Sequence, residues 1–172
     1  QAVVNRAIGT IGEAKKKLLE FLFAFPAKAV NRFVAREKFV EDKTIDGVSI
    51  AWLGPNFKKN LVGLIEENIK AAELKVRKLL QSATDLPQEN EPGIIPELHG
   101  RHRTFLAHFF QLLAHKQQAK DYSWLVGYIC DDNGTLWAVG ARWYSVDEGW
   151  RLEARSVDNP YRWYAGLPVV SH

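Results

Sequence analysis

The chain has one cysteine, Cys130, and no methionine among its 172 residues. A single cysteine excludes an intramolecular disulfide. Cys130 lies in the apolar run Trp124–Cys130 and is followed by Asp131 and Asp132, where an activated thiol would need a base or a positive charge. It reads as a small core residue. No apolar run approaches the ~18 residues of a membrane span. There is no internal repeat or low-complexity tract, and no Gly-x-Ser-x-Gly, phosphate-binding Gly-rich loop or dinucleotide fingerprint. The carboxylate pairs Asp131/Asp132 and Asp147/Glu148 both sit in expected hairpin turns, where they serve turn geometry and solubility. A Ser123/His102/Asp121 triple can be drawn on paper, as can many others, and carries no weight. The sequence therefore offers no catalytic residue, no metal site and no cofactor. With neither an initiating methionine nor a disulfide, it reads as a trimmed or partial chain of a cytoplasmic, soluble protein.

Six Trp, nine Phe and five Tyr exclude a disordered chain. The length predicts one domain over 1–172, large enough to fold without a metal or disulfide. Net charge is +3, with 18 basic and 13 acidic residues in 1–119 against 5 and 7 in 120–172. An anionic partner, including nucleic acid, would prefer the first part.

The segment Lys15–Phe25, basic and then apolar, imitates a secretory signal, but Glu20 interrupts it. It is read instead as a helix over 11–25, stopped by Pro26 and resuming over 27–33. Strands are predicted at 36–40 and 48–53, joined by 41–47. Gly54-Pro55-Asn56 then offers a cap for a helix over 61–80. There Leu61, Leu64, Ile65, Ile69, Ala72, Val76, Leu79 and Leu80 form a stripe of period 3.6. Glu66–Lys70 and Glu73–Arg77 stand in the favourable i,i+4 order. Residues 81–96, with three prolines, read as a long hinge loop, and a second helix runs from about 97 or 101 to 118. Alternating apolar residues and the turns Asp132-Asn133-Gly134 and Asp147-Glu148-Gly149 predict strands at 122–130, 135–145 and 150–157, with an edge strand at 167–171. The fold class expected is α+β: an N-terminal helix, a β-hairpin and two amphipathic helices packed on a C-terminal antiparallel β-meander.

Three features could carry function. Asn56, Lys58 and Lys59 at the expected N-terminus of helix 61–80 would make an anion site, joined by Arg101 and Arg103 if the two helices start side by side. His99 and His102, with Glu97, could hold a metal, although the spacing fits no known ligand motif; His108 and His115 read as a solvated face. The meander carries Trp137, Arg142 and Trp150, and from it Trp143, Arg151, Arg155, Arg162 and Trp163 are read as an interaction patch, since Trp and Arg dominate protein–protein hot spots.

The segments 52–59, 134–139, 149–151 and 159–163 (Trp52-Leu53-Gly54-Pro55-Asn56-Phe57-Lys58-Lys59, Gly134-Thr135-Leu136-Trp137-Ala138-Val139, Gly149-Trp150-Arg151 and Asn159-Pro160-Tyr161-Arg162-Trp163) resemble uncharacterised small proteins encoded by uncultured candidate-phylum bacteria. The likeness runs from about 23 to 171. It implies a self-contained cytoplasmic domain and no activity, cofactor or partner. The sequence favours a non-enzymatic binding or interaction module, with a protein partner or a second copy, over a small hydrolase or metal-dependent enzyme built around His99 and His102.

Overall fold

A computed structural model describes residues 17–172. The chain folds into a large mixed β-sheet with few helices, which overturns the expected stack of helices on a meander. In chain order the elements are β1 (Leu19–Ala27), β2 (Val30–Val34), α1 (Ala35–Lys38), β3 (Lys43–Ile45), β4 (Val48–Leu53), α2 (Pro55–Asn60), β5 (Ile65–Ile69), β6 (Ala72–Leu79), α3 (Ile94–Glu97), α4 (Leu106–Gln118), β7 (Leu125–Cys130), β8 (Leu136–Tyr144), β9 (Gly149–Ser156) and β10 (Pro168–Ser171). Eight strands form one sheet in the order β1-β6-β10-β7-β8-β9-β4-β3, and β2 pairs with β5 in a separate ribbon.

The expected meander is present: β7, β8 and β9 pair antiparallel in register. The expected helix over 11–25 is replaced by β1 where it is described, residues 11–16 lying outside the described part. Phe23 and Phe25 alternate toward the inner core, a register shift leaves Phe21 exposed on the other side, and β1 sits at the sheet edge, where Pro26 is tolerated. The helical resumption over 27–33 is β2, and the strand expected at 36–40 begins as the single turn α1. The expected helix 61–80 is β5 followed by β6. In β6, Leu74 and Val76 are buried under α4 while Lys75 and Arg77 face the other way, so the alternation of a strand prevails over the helical stripe. Asn68, near the end of β5, has a left-handed φ of 55°, which a helix interior does not hold. The strand at 167–171 is not an edge: β10 lies inside the sheet, antiparallel to β6 and parallel to β7.

The inner face of the sheet packs on α4, the long helix that the sequence predicted. Leu74, Val76, Val139, Trp150 and Leu152 meet Phe109, Leu112 and Leu113 there. Gly127 lets helix and sheet approach closely, since a Cβ would stand 2.8 Å from the Phe109 ring. Polar ties fix α4 along its length. The Glu66 carboxylate accepts from the N–H groups of Leu106 (2.9 Å) and Ala107 (2.8 Å), satisfying donors that a helix start leaves free. Gln111 exchanges two hydrogen bonds with Lys28, whose carbonyl also meets the buried His108 ring. Near the other end, Gln117 bonds Ser49 and accepts from the Trp150 indole.

The outer face is crossed by a strap, residues 81–98, where the sequence suggested a hinge. Leu98, Ile94 and Ala83 pack on Val126, Tyr128, Ala138 and Val169. Asp85, 1% exposed, fastens the strap: its Oδ1 accepts from the Tyr128 hydroxyl (2.7 Å) and the Trp163 indole (2.8 Å). Its Oδ2 is buried without a partner. Burial pushes the Asp85 carboxyl above its ordinary range, against the two hydrogen bonds and the charge of Arg155. Because that value is raised on folding, the contribution of Asp85 to stability is fullest below its unfolded value and is lost as pH rises through the folded one.

Asp85→Asn keeps the acceptor and removes the buried charge. It is expected to match or exceed the parent in stability at about pH 7, and to lose that advantage at about pH 4. Asp85→Ala, which strands two buried donors, is expected to cost about 2–4 kcal/mol. Urea unfolding midpoints of the three proteins at both pH values check this.

Candidate functional site

The strap leaves uncovered the part of the outer face formed by β8, β9 and β4. Strand alternation sends Arg142 and Arg151 to this side, a register shift after Ile50 turns Trp52 to it as well, and pairing sets the three in one row: Arg142 opposite Arg151, and Arg151 opposite Trp52. Trp124, just before β7, extends the row at its other end, with the Arg142 guanidinium 5.0 Å from its ring centroid. Arg151 lies 3.8 Å over the Tyr144 ring and 6.0 Å from that of Trp52. The result is a cross-strand row of aromatic, cation, cation, aromatic. Stacking of this kind holds a guanidinium in place while leaving its donors open. Arg151 spends one donor on Asp147 (3.2 Å), and its Nε is buried without a partner. Among the described residues Arg142 and Arg155 have no carboxylate within ion-pairing distance.

Beside Trp124 the surface drops into a cleft of about 400 Å³, walled by Trp124, Tyr161, Trp163 and Tyr164 and closed by Leu167 and Pro168. Tyr164 is 71% exposed, and Trp52 and Trp124 are 38% and 37% exposed, so the aromatic rim faces solvent. Trp163 forms the floor; its indole N–H is committed to Asp85, and Tyr161 stands edge-on to it at 4.5 Å. Arg155 covers the far side of Tyr161 at 3.8 Å.

Ser123 lines the rim of this cleft and belongs to a polar knot at the end of α4. The buried Lys116 ammonium donates to Ser123 Oγ (2.8 Å) and to Asp121 Oδ2 (3.1 Å), while the Ser123 hydroxyl donates to Asp121 Oδ1 (2.7 Å). Burial pulls Lys116 below its ordinary value, and the Asp121 hydrogen bond and charge oppose that. For Asp121, burial raises the carboxyl, but hydrogen bonds from Ser123 and Lys116 outweigh it and leave the value lowered. The Ser123 hydroxyl and the Lys116 amine thus converge on the Asp121 carboxylate. The knot ties the chain leaving α4 to its last turn.

Of the patch read from sequence, Arg151 and Arg155 belong to this face. Trp143 lies on the opposite side, stacked on Tyr122 at 4.2 Å and edge-on to Trp150. Arg162 pairs with Glu91 of the strap (3.0 Å), and Trp163 is 3% exposed. Trp52, Trp124 and Tyr164 were not in that reading. Their signal was available only in pairing, since nothing local shows that residue 52 will sit beside residue 151.

The expected anion site is not assembled as the sequence suggested. Its helix is absent, and Lys58 and Lys59 lie in the last turn of the short α2. Lys58 pairs with Glu41, and Asn56 donates to the Ala154 carbonyl (3.1 Å). The start of α2 already has its anion: Glu153 Oε1 accepts from Phe57 N–H (3.2 Å), and Gly54 makes room for that carboxylate. Arg101 lies beside the end of β10, its carbonyl accepting from His172 N–H (3.0 Å). Two strands separate β10 from β9, on which α2 rests, or about 14 Å at ~4.8 Å per strand. The Arg103 carbonyl meets the His172 ring, and its guanidinium lies 5.3 Å from the Phe105 centroid. His99 opens into a different cleft, whereas His102 is edge-on to Tyr128 with Nδ1 buried and unpartnered. Burial, and then the nearby His172, lowers His102. Among the described residues no group of three or more His, Cys, Asp or Glu gathers as a metal site.

Lys116→Met keeps the buried stem and removes the charge, leaving Asp121 exposed enough to be solvated. It is expected to cost less than Lys116→Ala, which adds a cavity and loses about 2–4 kcal/mol. Thermal unfolding of both variants reads the difference. No family model, curated protein or solved structure matches the chain.

Proposed function

We propose that the protein is a non-enzymatic binding module that uses the arginine–aromatic row and the adjoining cleft to take up a protein segment carrying carboxylates next to an aromatic or proline anchor. The observation that supports this reading is the placement of Arg142 between an exposed Trp124 and Arg151, at the mouth of an apolar cleft, with no carboxylate of its own among the described residues. An anchor side chain would enter between Trp124 and Tyr164, and carboxylates would meet Arg142 and Arg155. Trp, Tyr and Arg are the residue types that concentrate binding energy at protein interfaces. Their rigid planar groups lose little conformational freedom on docking. A polypeptide is favoured over nucleic acid because residues 120–172, which build most of this face, carry 7 acidic against 5 basic side chains.

Selection from a displayed peptide library tests it, with the parent protein as bait and a blocked support as control. The expected outcome is enrichment of sequences that join Asp or Glu to Trp, Phe, Tyr or Pro. Synthetic copies of them should lose about tenfold in affinity on Arg142→Ala and on Tyr164→Ala. No enrichment over the support, or peptides indifferent to both substitutions, would contradict the reading.

A further inference from the structure

At the other end of the strands, on the same outer face, lies a second cleft of about 510 Å³ whose charged side chains are mostly cationic. Lys17, Lys75, Arg77 and Arg101 contribute four fixed positive charges, His99 and His172 add imidazoles, and Glu97 is the one carboxylate in the lining. The convergence has a structural cause. Lys75 and Arg77 alternate outward from β6 because Leu74 and Val76 point at α4. Register sets Lys75 opposite Ser171, and the next residue, His172, is hydrogen-bonded to the Arg101 carbonyl. The turn after α3 brings His99 to the rim with a φ of 50°. Residues remote in sequence are thus held around one concavity by main-chain bonds.

Among the described residues none of the four fixed cations has a carboxylate within 4 Å. Arg77 is oriented by its Nη1–H bond to Ser171 Oγ (2.7 Å), which leaves its other donors open. Leu18, Leu19 and Leu98 complete the walls, and low-dielectric walls focus the field of the cations into the cleft. Like charges gathered without counter-charge repel one another, and an anion relieves that repulsion. Two guanidiniums and two ammoniums match phosphoryl oxygens, which accept forked and point-like donors together.

We propose that this cleft is a binding site for a compact ligand bearing several phosphoryl groups, either a short inorganic chain such as tripolyphosphate or the phosphate chain of a nucleotide. The site is independent of the arginine–aromatic row, from which the strap separates it. The excess of fixed positive charge calls for more than one negative charge, and the volume accommodates two or three phosphoryl groups rather than a polymer.

Calorimetric titration of tripolyphosphate, a nucleoside triphosphate and a short single-stranded oligonucleotide into the full chain tests this. The variants are Arg101→Glu, Lys75→Gln/Arg101→Gln, and Lys58→Ala/Lys59→Ala as a control of equal charge change away from the cleft. Near-ultraviolet circular dichroism verifies folding, and the exposed position of Arg101 makes Arg101→Glu the structurally mild variant. Tripolyphosphate is expected to bind the parent, to weaken as salt is raised, and to lose about tenfold or more in both cleft variants but not in the control. Tighter binding of the nucleoside triphosphate than of tripolyphosphate would identify the nucleotide as the source of the phosphates, and equal binding the phosphate chain alone. No binding of either compound, an equal loss in the control, or a preference for the oligonucleotide that the cleft variants leave unchanged would overturn the proposal.

Discussion

The carboxylate of Asp85, buried on the outer face of the sheet, joins three parts of the chain that lie far apart in sequence. It stands in the strap, accepts from Tyr128 in the middle of β7, and accepts from Trp163 in the segment that leads into β10. Around it the main chain closes in both directions: Ala83 and Trp163 exchange N–H···O bonds, and Ile94 and Ile95 donate to the carbonyls of Thr84 and Asp85. An unpartnered carboxylate oxygen at this depth opposes folding, and it is tolerated because the other oxygen satisfies two buried donors at once. The strap fixed in this way divides the outer face. On one side it leaves the arginine–aromatic row and its cleft, with Trp163 as floor, and on the other the cationic cleft, with Leu98 as wall.

Carboxylates also govern the helices. Glu66 from β5 occupies the start of α4, and Glu153 from β9 occupies the start of α2. Each supplies the negative charge that helix N-termini favour. Burial raises the Glu66 carboxyl, against the two backbone N–H groups it accepts from and the charge of Arg103. These internal anions explain why the lysines of α2 do not make an anion site. The site that does gather cations is built from strand alternation in β6 and from the end of β10, with no helix terminus involved.

The parts of the fold legible in the sequence are those fixed by local signals. The meander followed from alternation and from Asn133-Gly134 and Glu148-Gly149 turns, and α4 from its apolar stripe. Residues 61–80 defeated the same logic because their apolar positions satisfy both periods. Leu74 and Val76 suit the inner face of a strand, with Leu79 on its outer face, while Leu61, Leu64, Ile65 and Ile69 suit a helix. The decision rests on β1 and β10, which supply ladder partners from distant parts of the sequence, such as Leu19 for Leu79 and Ser171 for Lys75. β1 itself was hidden in a hydrophobic stretch without clean alternation, since a register shift after Phe21 sets it on the face opposite Phe23 and Phe25. At the candidate site, Arg151 and Arg155 were legible as exposed residues of β9. Trp52, Trp124 and Tyr164 were not, because only pairing of β4 with β9 and the path of the chain after Tyr161 bring them to the same face.

The claim on which both clefts rest is that Asp85 holds the strap as a unit distinct from the rest of the sheet. Native-state hydrogen exchange of the parent and Asp85→Ala reads it directly. The amides of Ala83, Thr84, Ile94, Ile95 and Trp163 are predicted to lose protection by about a hundredfold or more, from the loss of two buried hydrogen bonds, while those of β7, β8 and β9 change far less. Protection of the strap left unchanged, or lost in equal measure across the whole sheet, would contradict the account.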